Sequence, residues 1–436
     1  MRGLIVSLVA LAALMPGTVA ADTLTEAMVS AAESNPTLAA QRARLRATRE
    51  ALPQAWAEAL PQLSITGSAV RSDRESDAPS PLDGVNSDWN ASASASQLLF
   101  GSGRVLASTR AARAQIRGAV ADYDQTLQTL LLDVTRAYAD VRQSQQIVAA
   151  REQTVSNLTR LLEYAQAQFD AGVVTRTDVA QSQARLAQAR TLLVQAQGQL
   201  AASVQAYLRL VGRPPSDLQP PARAQGLPPQ LDIALDTAGR QSPVLRSAVA
   251  DTELADANVD VSSAQGRPRV TLEAGQSIGA DFDDDTTESV TDTVGVRVSV
   301  PIFQGGVVRS RTRQQRALRA AANLDLAAAQ RLVQENVTNS WTGLASARAA
   351  VESAREQVEA AELAYEGVRL EQETGLRATF EVLEQEQNLL DARLALAQAE
   401  RDLVVAERQL LASVGSLGVP ETAGSEPPRD DGLRGR

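Results

Sequence analysis

The chain has 436 residues, enough for two or three ordinary domains, but only 3% are aromatic and 22% are charged. Ala, Gln, Leu and Arg dominate, which is the profile of long helices. Cys and His are absent, which excludes disulfides, thiolate metal sites, the commonest metal ligand and the usual general base. No nucleophile–base pair is left, so no catalytic residue, metal or cofactor is assigned and an enzyme is not expected. The net charge is −10, every basic residue is Arg and no basic block occurs, so nucleic acid is excluded as a partner.

Residues 1–21 read as a signal peptide. Arg2 supplies the positive start, Gly3 to Met15 the apolar stretch, and Val19-Ala20-Ala21 the small residues for cleavage before Asp22. No later window is apolar over the roughly 18 residues that a membrane helix needs. Leu24 to Glu58 is expected to be helical with a joint at Asn35-Pro36, where Asn caps and Pro suits a first helical position.

The rest of the chain is organised by a duplication. Moving residues 303–415 back by 203 positions lays Phe303 on Phe100, Gly306 on Gly103, Gly375 on Gly172, Glu381 on Asp178 and Gly415 on Gly212. The chain therefore divides into a first repeat at 22–212, a Pro-rich linker at 213–230, a second repeat at 231–415 and a disordered tail at 416–436. Each repeat holds two strands of alternating pattern, at about 61–72 and 87–99 and at about 268–280 and 291–303. One face reads Leu63, Ile65, Gly67 and Ala69, or Val294, Val296, Val298 and Val300. Small or apolar residues alternating with polar ones over about ten positions suit a transmembrane β-barrel, but alternation alone favours a pair of half-buried soluble hairpins. The acidic loop with Asp281, Asp283, Asp284, Asp285 and Glu288 lacks the EF-hand spacing and reads as a solvated surface.

Long helices at about 104–170 and 307–373 follow, then shorter ones at about 176–211 and 379–413. Val337, Leu344, Val351, Val358 and Tyr365 keep a seven-residue period, as do Val134, Val141, Val148, Val155 and Leu162, and Val382, Leu389, Leu396, Leu403 and Leu410. A strict heptad implies a left-handed supercoil, and 67 residues make a rod of about 100 Å. Such a rod needs neighbours along its seam. Gly172 and Gly375 suit the left-handed residue that ends a helix, so two helical hairpins are expected, with tips at 172–177 and 375–380.

The ordered set of Asn35-Pro36-x-Leu38, Leu60-Pro61-Gln62-Leu63, Pro301-Ile302-Phe303 with Gly305-Gly306, and Gly375 before Glu381-Val382-Leu383 resembles the TolC family of outer-membrane efflux proteins over Leu24 to about Leu417. The resemblance implies a mainly α fold with a membrane β-barrel: a homotrimer whose 12-stranded barrel in outer-membrane lipid continues into a periplasmic coiled-coil α-barrel. It implies a passive exit duct for drugs, small molecules or secreted polypeptides, recruited by a periplasmic adaptor and an inner-membrane pump of RND or ABC type. A soluble periplasmic coiled-coil scaffold or adaptor is the alternative. By the same resemblance, Glu381 and Glu384 match the acidic pore constriction. Asp178 and Arg377 are candidates for a charge lock at the tip, and Gly172, Val173, Gly375 and Leu376 for adaptor contact. Phe100 and Phe303, at the strand-to-helix joints, are candidates for the membrane interface, where aromatic rings gather. Acidic residues in a first helical turn also complement the helix dipole without any pore. The chain departs from the family pattern at Leu98, which stands where the second repeat has Pro301. Glu381 and Glu384 replace the usual Asp, Gln372 a common Tyr, and Ala171 and Thr374 a common Val. The N-terminal Cys of lipidated members is missing.

Overall fold

Thr23 opens the first helix with a reciprocal cap: its hydroxyl accepts from Glu26 N at 3.2 Å, and the Glu26 carboxylate accepts from Thr23 N at 3.2 Å. The computed structural model describes residues 22–75, 77, 84–281 and 288–419. The expected leader, Asp283, Asp284 and Asp285 of the acidic loop, and the tail beyond residue 419 lie outside these. In chain order the elements are α1 (Leu24–Ser34), α2 (Pro36–Arg49), α3 (Ala51–Ala57), β1 (Gln62–Arg74), β2 (Gly84–Phe100), α4 (Arg104–Asp170), α5 (Arg176–Val211), α6 (Leu231–Gln241), α7 (Pro243–Ala264), β3 (Arg269–Asp281), β4 (Ser289–Ser299), α8 (Val307–Glu373) and α9 (Thr379–Val414). Both long helices have 67 residues, and both shorter ones have 36. Strand boundaries shift from the sequence reading by one to four residues, and two of the shifts follow from proline. β4 stops at Ser299, before Pro301, which has no N–H for a ladder; β2, with Leu98 in place of proline, runs on to Phe100. Past α9, Leu417 is buried within the stretch expected to be a disordered tail, while Ser416 and Gly418 beside it are exposed.

The described residues form two compact units, one from 39–126 with 236–336 and one from 22–38 with 127–235 and 337–419. Each long helix supplies residues to both units. The first unit holds one antiparallel sheet in the order β1-β2-β3-β4. Its register lines Leu63 with Ala95, Ala95 with Ala274, and Ala274 with Val294. Facing residues in an antiparallel ladder share a face. One face therefore carries Leu63, Ile65, Ala91, Ala93, Leu272, Ile278, Val290 and Val296, with Gln97 and the hydrogen-bonded Gln276 and Asp292 set among them, while the other carries Ser64, Thr66, Ser92, Ser94, Ser277 and Thr293. A register shift between Leu98 and Phe100 pairs Phe100 with Val270 and so brings its ring onto the apolar face. In the same unit, Ala107, Ala114 and Ala121 of α4 and Ala250, Ala257 and Ala264 of α7 are buried at seven-residue intervals. Small side chains allow close approach: a Cβ built on Gly118 would already touch Ala250 at 3.7 Å. Arg110–Asp260 at 2.8 Å, Arg117–Glu253 and Arg246–Asp124 flank this seam.

The second unit is helical, and its heptad residues are the core. Val134, Val141, Val337, Leu344, Val351, Leu389 and Leu410 are buried. Leu158 of α4, Leu186 of α5 and Leu383 of α9 form one cluster; Val351 and Ala354 of α8 with Ala399 of α9 form another. Asn35 holds the start of this unit: its side chain accepts from Thr37 N at 2.9 Å, and its amide donates to Leu210 O at 3.1 Å. The linker lies against α9, where Glu407 accepts from Ala224 N at 2.9 Å and Arg408 donates to Ala222 O at 2.5 Å. Glu407 and Arg408 are both buried and paired at 2.8 Å, and desolvation lowers the pKa of Arg408.

Candidate functional site

The two tips have one backbone design. Gly172 N donates to Phe169 O at 2.9 Å and Val173 N to Gln168 O at 2.9 Å; Gly375 N donates to Gln372 O at 3.0 Å and Leu376 N to Glu371 O at 2.9 Å. This is a Schellman ending, which requires the left-handed residue that glycine supplies, and φ is 75° at Gly172 and 79° at Gly375. The turn pushes the next side chain outward, leaving Val173 70% and Leu376 77% exposed.

Side chains then make the tips different. At the first, Asp178 accepts from Thr175 N at 2.9 Å and from its hydroxyl at 2.8 Å, which lowers the Asp178 pKa. At the second, Ala378 has no hydroxyl, and Glu381 accepts from Ala378 N at 3.4 Å. Arg377 bridges two helices there, with Nε 2.8 Å from Glu371 and Nη1 2.5 Å from Glu381. Within one chain Asp178 and Arg377 are thus engaged with local partners, not with each other. Glu384 is exposed one turn beyond Glu381.

Below the tip, in the same unit, a groove of about 600 Å³ is lined by Asn157, Arg160, Tyr164, Tyr365, Arg369 and Glu386 among others. Glu386 is buried and accepts from Asn157 Nδ2 on both oxygens at 3.0 Å. Burial first, and then the Glu386 charge, pushes Tyr365 up to about 12. Sequence reading missed Glu386, although its place between the seam residues Val382 and Leu389 marks a carboxylate on a packed face.

At the other set of candidates, Phe100 is 57% and Phe303 86% exposed. Phe100 lies on the apolar sheet face, and Phe303 follows β4 outside any strand. Trp89, paired with Ala69 and Ala280, sits at the far end of that same face; from sequence it reads as one of the alternating strand residues, with no role at a membrane interface. Among the described residues no group of three metal-ligating side chains converges and no helix is long and apolar enough to cross a membrane; the latter says nothing of a β-barrel.

Comparison with known proteins agrees with this geometry. The model of the family described as outer membrane efflux protein matches residues 27–213 and 234–416. The outer membrane efflux protein BepC of Brucella suis is 31% identical over 421 residues, covering 94% of this chain and 90% of its own. The outer membrane protein TolC of Vibrio cholerae is 26% identical, covering 91% of each. The solved outer membrane protein VceC of Vibrio cholerae superposes with a TM-score of 0.76 at 21% identity, over 90% of this chain and 96% of its own, and so shares the fold. The scaffold alternative gives way to these matches, and the chain belongs to the outer membrane efflux protein family, as a channel protein of the outer membrane and not an enzyme.

Proposed function

We propose that three copies of this chain, a homotrimer, form the exit duct of a tripartite export system. One observation carries the reading: the sheet has an apolar face and two open edges. Among the described residues β1 and β4 each have a strand on one side only. Hydrocarbon does not tolerate unpaired backbone N–H and C=O groups, and four strands are too few to close a barrel; three sheets give twelve. From Trp89 to Phe100 the apolar face runs eleven residues, about 36 Å along a strand and about 25 Å along the normal at a tilt near 45°, the height of an outer-membrane apolar band. Trp89 and Phe100 then mark its two rims, with Phe303 below. The equal helix lengths and the 203-residue offset support a tandem structural repeat, whose helices continue the barrel as a periplasmic α-barrel.

The tips dock the adaptor through Gly172, Val173, Gly375 and Leu376, which offer a bare turn beside an exposed apolar side chain. An RND or ABC pump in the inner membrane completes the path. In a trimer Glu381 and Glu384 become six carboxylates about a narrow axis, and a focused negative field favours cations. Arg377 neutralises part of that ring at rest, and with Asp178 of a neighbouring tip it holds the end shut. Light scattering in detergent is expected to give a trimer mass, and single-channel recording a cation-selective pore of low resting conductance, blocked by multivalent cations from the tip side. Replacing Glu381 and Glu384 together by Gln should remove the block, and Arg377→Ser should raise the resting conductance. A monomer mass overturns the duct; unchanged block in the double variant overturns the gate.

A further inference from the structure

We infer that the mature chain begins at Asp22 and that its new α-ammonium group is the ligand of a buried site built around Asp22 and Tyr207. The inference rests on the leader read from sequence and is independent of the pore. Asp22 is 1% exposed. Its N donates to Asp217 O at 3.0 Å, and its carbonyl accepts from Gln219 N at 3.2 Å and from the Tyr138 hydroxyl at 2.8 Å. Its Oδ2 accepts from Ser216 N at 3.2 Å. Arg213 Nη2 lies 2.6 Å from Oδ1, a charge contact without hydrogen-bond geometry. Two polar atoms in this pocket, Asp22 Oδ1 and the Tyr207 hydroxyl, are buried with no hydrogen-bond partner. The Tyr207 ring packs against that of Tyr138 at a tilt of 54°, with centroids 6.4 Å apart. Burial and then the Asp22 charge push Tyr207 up to about 12.

Native folds seldom leave two buried polar atoms without partners. The amide of residue 22 has one hydrogen, already given to Asp217. Hydrolysis of the bond between residues 21 and 22 puts the hydroxyl of water on the departing carboxyl and a hydrogen on the nitrogen, which takes up a further proton. The nitrogen then has three donors. One keeps the bond to Asp217, and we assign the other two to Asp22 Oδ1, whose charge already meets Arg213, and to the neutral Tyr207 hydroxyl oxygen, the two acceptors left open. The precursor lacks these donors, so the anchor among α1, the linker and the middle of the first hairpin is completed only by cleavage.

The chain has no Lys, so the α-amine is its one primary amine and can be read without interference. Purified full-length channel is analysed by intact mass and N-terminal sequencing, then reacted with a succinimidyl ester near pH 8, folded and after denaturation. The expected result is a start at Asp22 and labelling at least about tenfold slower in the folded protein. Tyr207→Phe should speed labelling several-fold, and a Gly inserted between residues 21 and 22 should bring it to the denatured rate, both with the trimer mass retained. A start elsewhere, a blocked terminus, or equal folded and denatured rates overturns the inference while leaving the conductance of the pore untouched.

Discussion

The first hairpin, α4–α5, and the second, α8–α9, share lengths, tip hydrogen bonds and a left-handed terminal glycine with φ of 84° at both Gly212 and Gly415. They differ in where charge sits. At the 203-residue offset, Glu371, Arg377, Glu384 and Glu386 of the second stand where the first has Gln168, Val174, Gln181 and Gln183. The buried Glu407–Arg408 pair stands where the first has Val204 and Gln205. Backbone geometry depends on a few residues such as glycine and tolerates no drift there. Electrostatics is free to change once a second copy exists, and it has collected on α8 and α9.

The largest test of this asymmetry is Glu407→Ala. It strands the Arg408 charge in a buried setting and should cost about 3–5 kcal/mol. Val204→Ala at the matching place of α5 should cost about 1 kcal/mol. Denaturant unfolding of the detergent-solubilised protein compares them, and equal losses would abolish the distinction. Next comes Glu386→Gln, which makes the second hairpin like the first at that point. Loss of charged hydrogen bonds to Asn157 should cost about 1.5–3 kcal/mol. Tyr365 should fall from about 12 while staying above 10, because burial is the larger cause. The sign for stability follows from the raised value. The unfolded phenol ionises near pH 10 and the folded one near 12, so stability is full below pH 10 and is lost as pH climbs through that window. Ultraviolet titration of phenolate in parent and variant, with unfolding at pH 9 and 11, checks both. The smallest effect is a cap exchange. Thr175→Ala should loosen the start of α5, and Ala378→Thr should tighten that of α9, by about 1 kcal/mol each. Hydrogen exchange of the first-turn amides reads the two in opposite directions.

What was legible in the sequence was local. Gly172 and Gly375 announce the tips, Val337, Leu344 and Val351 announce the seam, and alternation announces the strands, because each signal lies within a few residues of its cause. What escaped depends on partners far away in the chain. Glu386 needs Asn157, and Glu407 needs Ala224 of the linker. Phe100 reaches the apolar face only through a register shift against Val270. The strand ends at Pro301 and Leu98 were readable in principle from the missing N–H of proline.

The pairing of β2 with β3 has a consequence for the order of events in time. β1 ends at Arg74 and β2 begins at Gly84, close by in the chain, but Asp88 of β2 meets Asp281 of β3, and about 190 residues must be made in between. At a synthesis pace of roughly 5–20 residues per second, about 10–40 s separate the making of β2 from the making of its partner. Throughout that interval β2 presents a bare edge beside an apolar face, the combination that recruits the wrong strand from another chain. The β2 edge is therefore closed within the chain only by a strand from the second repeat, so the first repeat alone leaves it open to strands of other copies.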